Sequence, residues 1–270
     1  MGNAKIPEVT INTFEELKKY IEDNELIKTK RSDIPDDINI ITNPVDLGIR
    51  FFRGVENSDY DLSSTLERYI RRYYNKDTIS SAEFESISKD FLNYCKITLK
   101  SKIPEKYILL DEKYENEIWF YGQHYGLSTP FLDWTRSFWV ALLFAFENYR
   151  SETKYRAIYS LNRFMMDEHI KIYEAKIDLG GRLTAQKGVF TKMLSKDLEN
   201  INDKAPVLPV DGKKYDVLTK ILINSNLRKE VLEYLLSINI DCTTIYPDMF
   251  GAIKNSHLAL NNILETRILE

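Results

Sequence analysis

Two periodicities divide this chain. In segments between Thr13 and Lys100 apolar residues recur every three to four positions, and in segments beyond Asn148 the period changes to two. The first spacing predicts helices and the second predicts strands, because side chains repeat every ~3.6 residues around a helix and alternate across a strand. Thr13 opens the first helix, with Glu16 three positions on as a capping box requires. Residues 28–48 are rich in Pro, Asp and Asn and read as loop. Ile49–Gly54 then reads as a short strand closed by a glycine turn. Ser64–Tyr74 and Ser81–Lys100 follow as helices, the second with Phe84, Ile87, Phe91, Tyr94 and Cys95 on one face, and residues 101–114 form a connection.

The middle of the chain, Trp119–Asn148, mixes the two kinds of residue abruptly: WFYGQHYGLSTPFLDWTRSFWVALLFAFEN. Polar groups lodged between apolar runs must hydrogen-bond internally or face a pocket. Gly122 and Gly126 bracket Gln123, His124 and Tyr125 and predict a sharply turned backbone. Asp133 is placed just ahead of a helix running to about Asn148, apolar on most sides and buried on more than one face. The apolar run through Trp139–Phe146 is too short to cross a bilayer.

Strands are expected at Arg156–Leu161, Lys171–Asp178, Gly188–Met193, Lys220–Ile223 and Cys242–Ile245, with a Gly180-Gly181 turn and a loop over 197–216. Ser225 would cap a helix over Asn226–Leu236, and Pro247-Asp248 would turn into a last helix. Helices come mostly first and strands mostly later, which makes the chain α+β. The expected layout is a tail over 1–12 and one domain over 13–262. That domain has a helical part at about 13–118, then a motif loop and β-rich core at about 119–262.

Composition changes this picture little. The chain has 270 residues, enough for a proper core, and 43% of them are hydrophobic, which argues against disorder. A net charge of -4 argues against a general nucleic-acid binder. The two cysteines, Cys95 and Cys242, lack metal-ligand spacing and form no disulfide scaffold, so a reducing, cytoplasmic setting is expected. The opening MGNAKIPEVT has no secretory apolar segment, and Ile6 stands where a myristoylation pattern wants Ser or Thr.

Several residues carry chemistry. Arg53 ends an apolar strand, where its guanidinium fits a phosphate or carboxylate, or an internal acid such as Asp133. His124 is one of three histidines, with His169 and His257; none has zincin-type spacing, so no metal centre is expected. His124 can donate to a ligand hydroxyl, act as general acid or base, or be a satisfied structural histidine. Asp133 suits a helix start, Trp134 suits packing or an indole wall for a flat ring, and Thr135 suits a cap or a ligand contact. Gln186, just before Gly188, can grip hydroxyls but supplies no negative charge, and Arg182 can pair with a phosphate or an acid. Glycine-rich phosphate loops and the GxSxG elbow are absent, so Rossmann, P-loop and α/β-hydrolase readings have no support.

Taken in order, these segments resemble the FRG domain family. Phe52-Arg53-Gly54 matches its name motif, Gln123-His124-Tyr125-Gly126 through Leu132-Asp133-Trp134-Thr135 its central signature, and Ala185-Gln186-Lys187-Gly188-Val189-Phe190 its AQxGxF motif. Leu227–Leu236 and Tyr246-Pro247-Asp248 resemble its C-terminal helix and ending. The resemblance implies kinship with ADP-ribosyltransferase folds, whose split β-core surrounds an NAD cleft. It implies an NAD-dependent ADP-ribosyltransferase or NAD-cleaving enzyme, with a setting in bacterial or phage conflict. NAD would be the substrate, beside a macromolecular acceptor the sequence does not identify. Arg53 would hold the pyrophosphate or brace the loop that does, and Gln123, Tyr125, Trp134 and Thr135 would line the NAD site, with nicotinamide on Trp134 or Tyr125. Gln186 falls near the position of the family's late catalytic Glu, so another acid, Asp133, would supply the charge, with His124 beside it. Two other readings stand next to this one: a non-catalytic nucleotide- or nucleic-acid-binding sensor, and a structural domain in which Arg53 pairs with Asp133. Neither a membrane partner nor an oligomeric state is indicated.

Overall fold

The computed structural model describes residues 6–24, 50–103, 111–149, 153–162, 170–178, 180–204 and 216–268. Its elements are β1 (Glu8–Ile11), α1 (Phe14–Asp23), β2 (Arg50–Val55), α2 (Thr65–Tyr74), α3 (Ser81–Thr98), α4 (Glu115–His124), β3 (Leu132–Thr135), α5 (Phe138–Phe146) and β4 (Tyr155–Asn162). Then come β5 (Ile172–Tyr173), α6 (Arg182–Gln186), β6 (Gly188–Thr191), α7 (Ser195–Glu199), α8 (Ile201–Lys204), β7 (Leu218–Asn224), α9 (Arg228–Ser237), α10 (Cys242–Ile245) and α11 (Met249–Ile268). The result is an α+β fold around one mixed seven-stranded sheet, ordered β1-β7-β4-β2-β3-β6-β5. The β1–β7 pair is parallel and every other pair is antiparallel.

Alternation along the inner strands sends side chains to two cores. Phe52, Ile158, Ile221 and Ile223 pack under α5, α9 and α10. Their neighbours Phe51, Ala157, Tyr159, Leu161 and Leu218 join Leu132, Trp134 and Val189 on the other side. β4 is buried at six consecutive positions, Arg156 to Leu161, as a central strand covered on both faces must be. A third core joins α3 and α4 to the sheet through Phe120, Phe131 and Phe190, with the Phe120 and Phe190 rings stacked at 4.1 Å.

α5 is apolar on almost every side and is sealed at its C-terminus by two buried arginines. Arg156 donates to the carbonyls of Ala145 (2.6 Å) and Asn148 (2.9 Å), and Arg228 donates to that of Phe146 (3.1 Å). These groups satisfy the last carbonyls of a helix that solvent does not reach, and their charge suits its negative end.

The capping box at Thr13 and Glu16 forms, as do the helices begun by Ser64 and Ser80 and strands β2, β4, β6 and β7. Other expectations need correction. Helices do not precede strands; β1 lies within the expected N-terminal tail and pairs along the sheet edge. Gln123 and His124 occupy the last turn of α4 and not a loop, because Gly122 is helical and the left-handed turn waits until Gly126 (φ 88). Asp133 belongs to β3, and Ser137 caps α5 by accepting from Val140 N at 3.4 Å. Cys242–Ile245 is helical, nucleated by an Asp241 capping box. Only Ile172–Tyr173 of Lys171–Asp178 is strand. Asn224, not Ser225, caps the turn that leads into α9, and two short helices, α7 and α8, overlap the loop expected over 197–216. In α3 the buried line is Phe84, Ser88, Leu92 and Cys95, whereas Tyr94 is exposed. The loop expected over 28–48 and His169 lie outside the described residues. No helix among the described residues is long and apolar enough to cross a membrane.

Candidate functional site

The site begins where the sheet comes apart. β2 pairs with β4 at every position from Arg50 to Val55, yet with β3 only at Phe52–Thr135. Past that pair Arg53 spans the gap, its Nη1 donating to the backbone carbonyl of Asp133 at 2.9 Å. A cleft of about 350 Å³ opens here. Arg53, Gln123, His124, Asp133, Trp134, Thr135 and Gln186, widely separated in sequence, all line it.

Gly54 sets the geometry of this end. A β-carbon there would stand 1.8 Å from the carbonyl oxygen of Ala141, so α5 lies directly on the backbone of β2. Arg53, next in sequence, is thereby locked between two rigid elements. Its side chain is 19% exposed, and its Nε is buried without a hydrogen-bond partner. Burial pulls the guanidinium below its ordinary pKa, and Asp133 opposes that pull.

Asp133 is the reachable acid. Its Oδ1 accepts from Gln123 Nε2 at 2.6 Å and its Oδ2 lies 3.8 Å from Arg53 Nη1. Gln123 is itself fixed, accepting from Thr129 Oγ1 at 2.6 Å, so the α4 terminus aims the carboxylate. Crowding by the cleft walls pushes the Asp133 carboxyl up, and Arg53 and Gln123 push it back down. The net direction is upward, but the side chain keeps 56% of its accessible surface, so water in the open cleft weakens that push.

Other residues play parts that the polar pattern did not separate. Thr135 is buried; its Oγ1 donates to the Gln186 carbonyl at 2.6 Å and accepts from Ser137 N at 3.0 Å, tying β3 to α6 and α5. Trp134 points into the core, its Nε1 donating to Thr191 Oγ1 at 2.9 Å, so its ring face is taken up by packing. Tyr125 is exposed and stands outside the cleft, against Tyr121 and His124. The aromatic walls come instead from Phe52, Phe120, Phe144 and Tyr246. Burial and the charge of Arg182 lower the His124 pKa, against Asp248 and Asp178, which favours the neutral imidazole.

The far wall was not legible as a site. Glu147, at the end of α5, is almost fully buried and binds Lys254 in an ion pair. It also accepts from the Tyr246 hydroxyl at 3.1 and 3.2 Å. That acceptor and burial drive the Tyr246 pKa far upward and keep the phenol protonated. Arg182 donates to Asp248 at 2.8 Å and lies over the Tyr246 ring at 5.2 Å. In the sequence, only Tyr246-Pro247-Asp248, within the resemblance, and Arg182, suited to pair with a phosphate or an acid, point to this wall.

Asp178 holds α6 in place, accepting from Leu183 N at 3.1 Å and Thr184 N at 2.7 Å. Burial raises its pKa, but the Thr184 and Leu183 hydrogen bonds outweigh burial and leave it below the ordinary carboxylate value. A depressed folded pKa contributes stability that is present above about pH 4 and is lost as pH falls through the folded value. Asp178→Asn keeps the acceptor without the titration. The stability difference between wild type and variant, followed by thermal melts between about pH 3 and pH 6, is expected to shrink on acidification. A constant difference would remove Asp178 from the account of α6.

The architecture is therefore an α+β fold with a mixed sheet that parts beside a polar cleft. Residues 49–154 match the model of the FRG domain. That segment carries Arg53, the Gln123–Thr135 signature and Glu147; α6, Tyr246 and Asp248 lie beyond it. No curated protein and no solved structure matches the chain.

Proposed function

We propose that the cleft binds NAD and cleaves its nicotinamide–ribose bond, passing ADP-ribose to an acceptor nucleophile or to water. The observation that carries this reading is the solvent-facing Asp133 carboxylate beside Arg53 at the parting of β2 and β3. Four carboxylates (Glu117, Asp133, Glu147, Asp178) line the cleft against two guanidinium groups (Arg53, Arg182). Such a balance favours the cationic nicotinamide end of the dinucleotide, with Arg53 as a partner for its pyrophosphate. As the C1′–N bond breaks, its electron pair leaves with neutral nicotinamide and positive charge grows on the ribose. A fixed carboxylate stabilises that charge without having to reorganise. The nucleophile then adds at C1′ and gives up its proton to solvent or to an adjacent base. Gln186 and neutral His124 are suited to hold ribose hydroxyls, and the half-buried Phe144 to stack on the pyridine ring. These assignments move the stacking role away from Trp134 and Tyr125, and they rest on the resemblance to ADP-ribosyltransferase folds as much as on the cleft.

The test is chromatographic. Wild-type protein incubated with NAD is expected to release free nicotinamide, and calorimetry is expected to show saturable binding. Absence of both sinks the proposal. A second reading, nucleotide binding without turnover, draws on the grip of Gln123 and Arg53 on Asp133, which partly neutralises that charge. It predicts the calorimetric signal with no nicotinamide.

A further inference from the structure

α11 has two faces, and only one is in use. Gly251 seats the helix: a β-carbon there would lie 2.0 Å from the Tyr246 carbonyl oxygen. Lys254, Asn255, Leu258 and Asn261 continue that half-buried side. The opposite side carries Met249, Ile253, Leu260, Ile263 and Leu264, and Phe250 borders it with its ring against Tyr246 and Arg182; each of the six is between 48% and 74% exposed. Monomeric proteins rarely leave so continuous an apolar stripe in water.

The stripe is symmetric along its own length. Met249 and Leu264, Phe250 and Ile263, and Ile253 and Leu260 are each equidistant from the point midway between Ser256 and His257. A two-fold axis through that point brings each residue against its counterpart on an antiparallel copy. Self-complementarity of this kind is the requirement of an isologous interface. Charge also permits it: from Met249 to Leu264 the only charged residue is Lys254, which Glu147 already pairs. Two identical helices therefore meet no like-charge repulsion along this face.

We propose that the chain self-associates through α11, as an antiparallel helix pair centred between Ser256 and His257. The interface and the cleft then share one element, because Lys254 of α11 reaches Glu147 in the cleft wall and Asp248 just ahead of it holds Arg182. Self-association would thus hold the far wall in place.

Sedimentation of the whole chain from about 1 to about 100 µM is expected to show a monomer–dimer equilibrium. The double variant Ile253→Glu/Leu260→Glu is expected to be monomeric and to melt near wild type at the dilute end of that range, where wild type is monomeric too, since both side chains face solvent in one copy. Orientation is read by oxidation, with no background from the buried Cys95 and Cys242. Ser256→Cys, beside the axis, is expected to form a disulfide-linked dimer. Leu264→Cys is expected not to, because its counterpart is Met249 of the other copy. A wild type that stays monomeric throughout overturns the proposal, as does a dimer that tolerates both glutamates. Cross-linking at Leu264→Cys but not at Ser256→Cys overturns the antiparallel arrangement.

Discussion

Gly54→Ala is expected to destabilise the protein by about 3 kcal/mol or more. The added methyl would meet three backbone atoms of α5: the Ala141 carbonyl oxygen at 1.8 Å, its carbon at 2.8 Å and Ala145 N at 2.9 Å. A flexible side chain could rotate away, but a helix backbone cannot. Relief requires α5 to lift from β2, and α5 is pinned by Arg156 and Arg228 at its end and by the core it fills. On a total stability of about 5–15 kcal/mol that is a large fraction, and for a chain of this size it lowers Tm by roughly 6–12 °C. Ala141→Gly is expected to give no rescue, because the obstacle is the carbonyl oxygen of residue 141 and not its side chain. Thermal melts of Gly54→Ala and of the double variant check both points. A variant melting within a degree or two of wild type would show that α5 does not lie on β2 as described.

The same contact shows what a sequence hides. Phe52-Arg53-Gly54 reads as a strand closed by a glycine turn, which is the local explanation. Gly54 is in fact inside β2, and its lack of a side chain answers to a helix 87 residues further on. Local pattern worked where local forces decide. The capping boxes of α1 and α10 are both determined by residues three apart, and the first was read correctly. The second is hidden because Thr243, Thr244 and Ile245 are β-branched and the segment is short, and four residues are too few for either period to declare itself. α4 is hidden in the sequence by Gly122, a residue with low helix propensity that is buried against the Leu127 side chain.

The cleft was legible in half. Its near side, Arg53, Gln123, His124, Asp133, Thr135 and Gln186, is built from polar residues stranded in apolar surroundings, and such residues announce themselves. The far side is made by Glu147, Tyr246, Lys254 and the Arg182–Asp248 pair. Glu147 follows an apolar helix and looks like its first solvated residue; Lys254 and Tyr246 look like ordinary helix-flanking positions. Only the packing of α11 against the end of α5 turns them into one buried cluster. Within the near side, sequence could not divide wall from support: Trp134 and Thr135 are adjacent to Asp133, yet both are satisfied internally.

Asp133→Asn is expected to lower nicotinamide release from NAD by roughly 10²–10³-fold, the usual loss when one preorganised electrostatic group is removed from a transition state. The substitution preserves shape, and the side-chain oxygen still accepts from Gln123, so binding of NAD in the ground state is expected to change far less than turnover. Such a split, with kcat lowered and KM nearly kept, marks an interaction made in the transition state. Glu147 is the control, since it is a second acid in the cleft wall. Its charge is already engaged by Lys254 and by the Tyr246 hydroxyl, and it is only 8% exposed, so Glu147→Gln is expected to reduce turnover by less than about tenfold. The two carboxylates differ in access and in how much of their charge is free, and turnover should follow that difference. If Glu147→Gln abolishes release while Asp133→Asn retains it, the reacting ribose lies at the α5–α11 end of the cleft. The role assigned to Asp133 would then pass to Glu147.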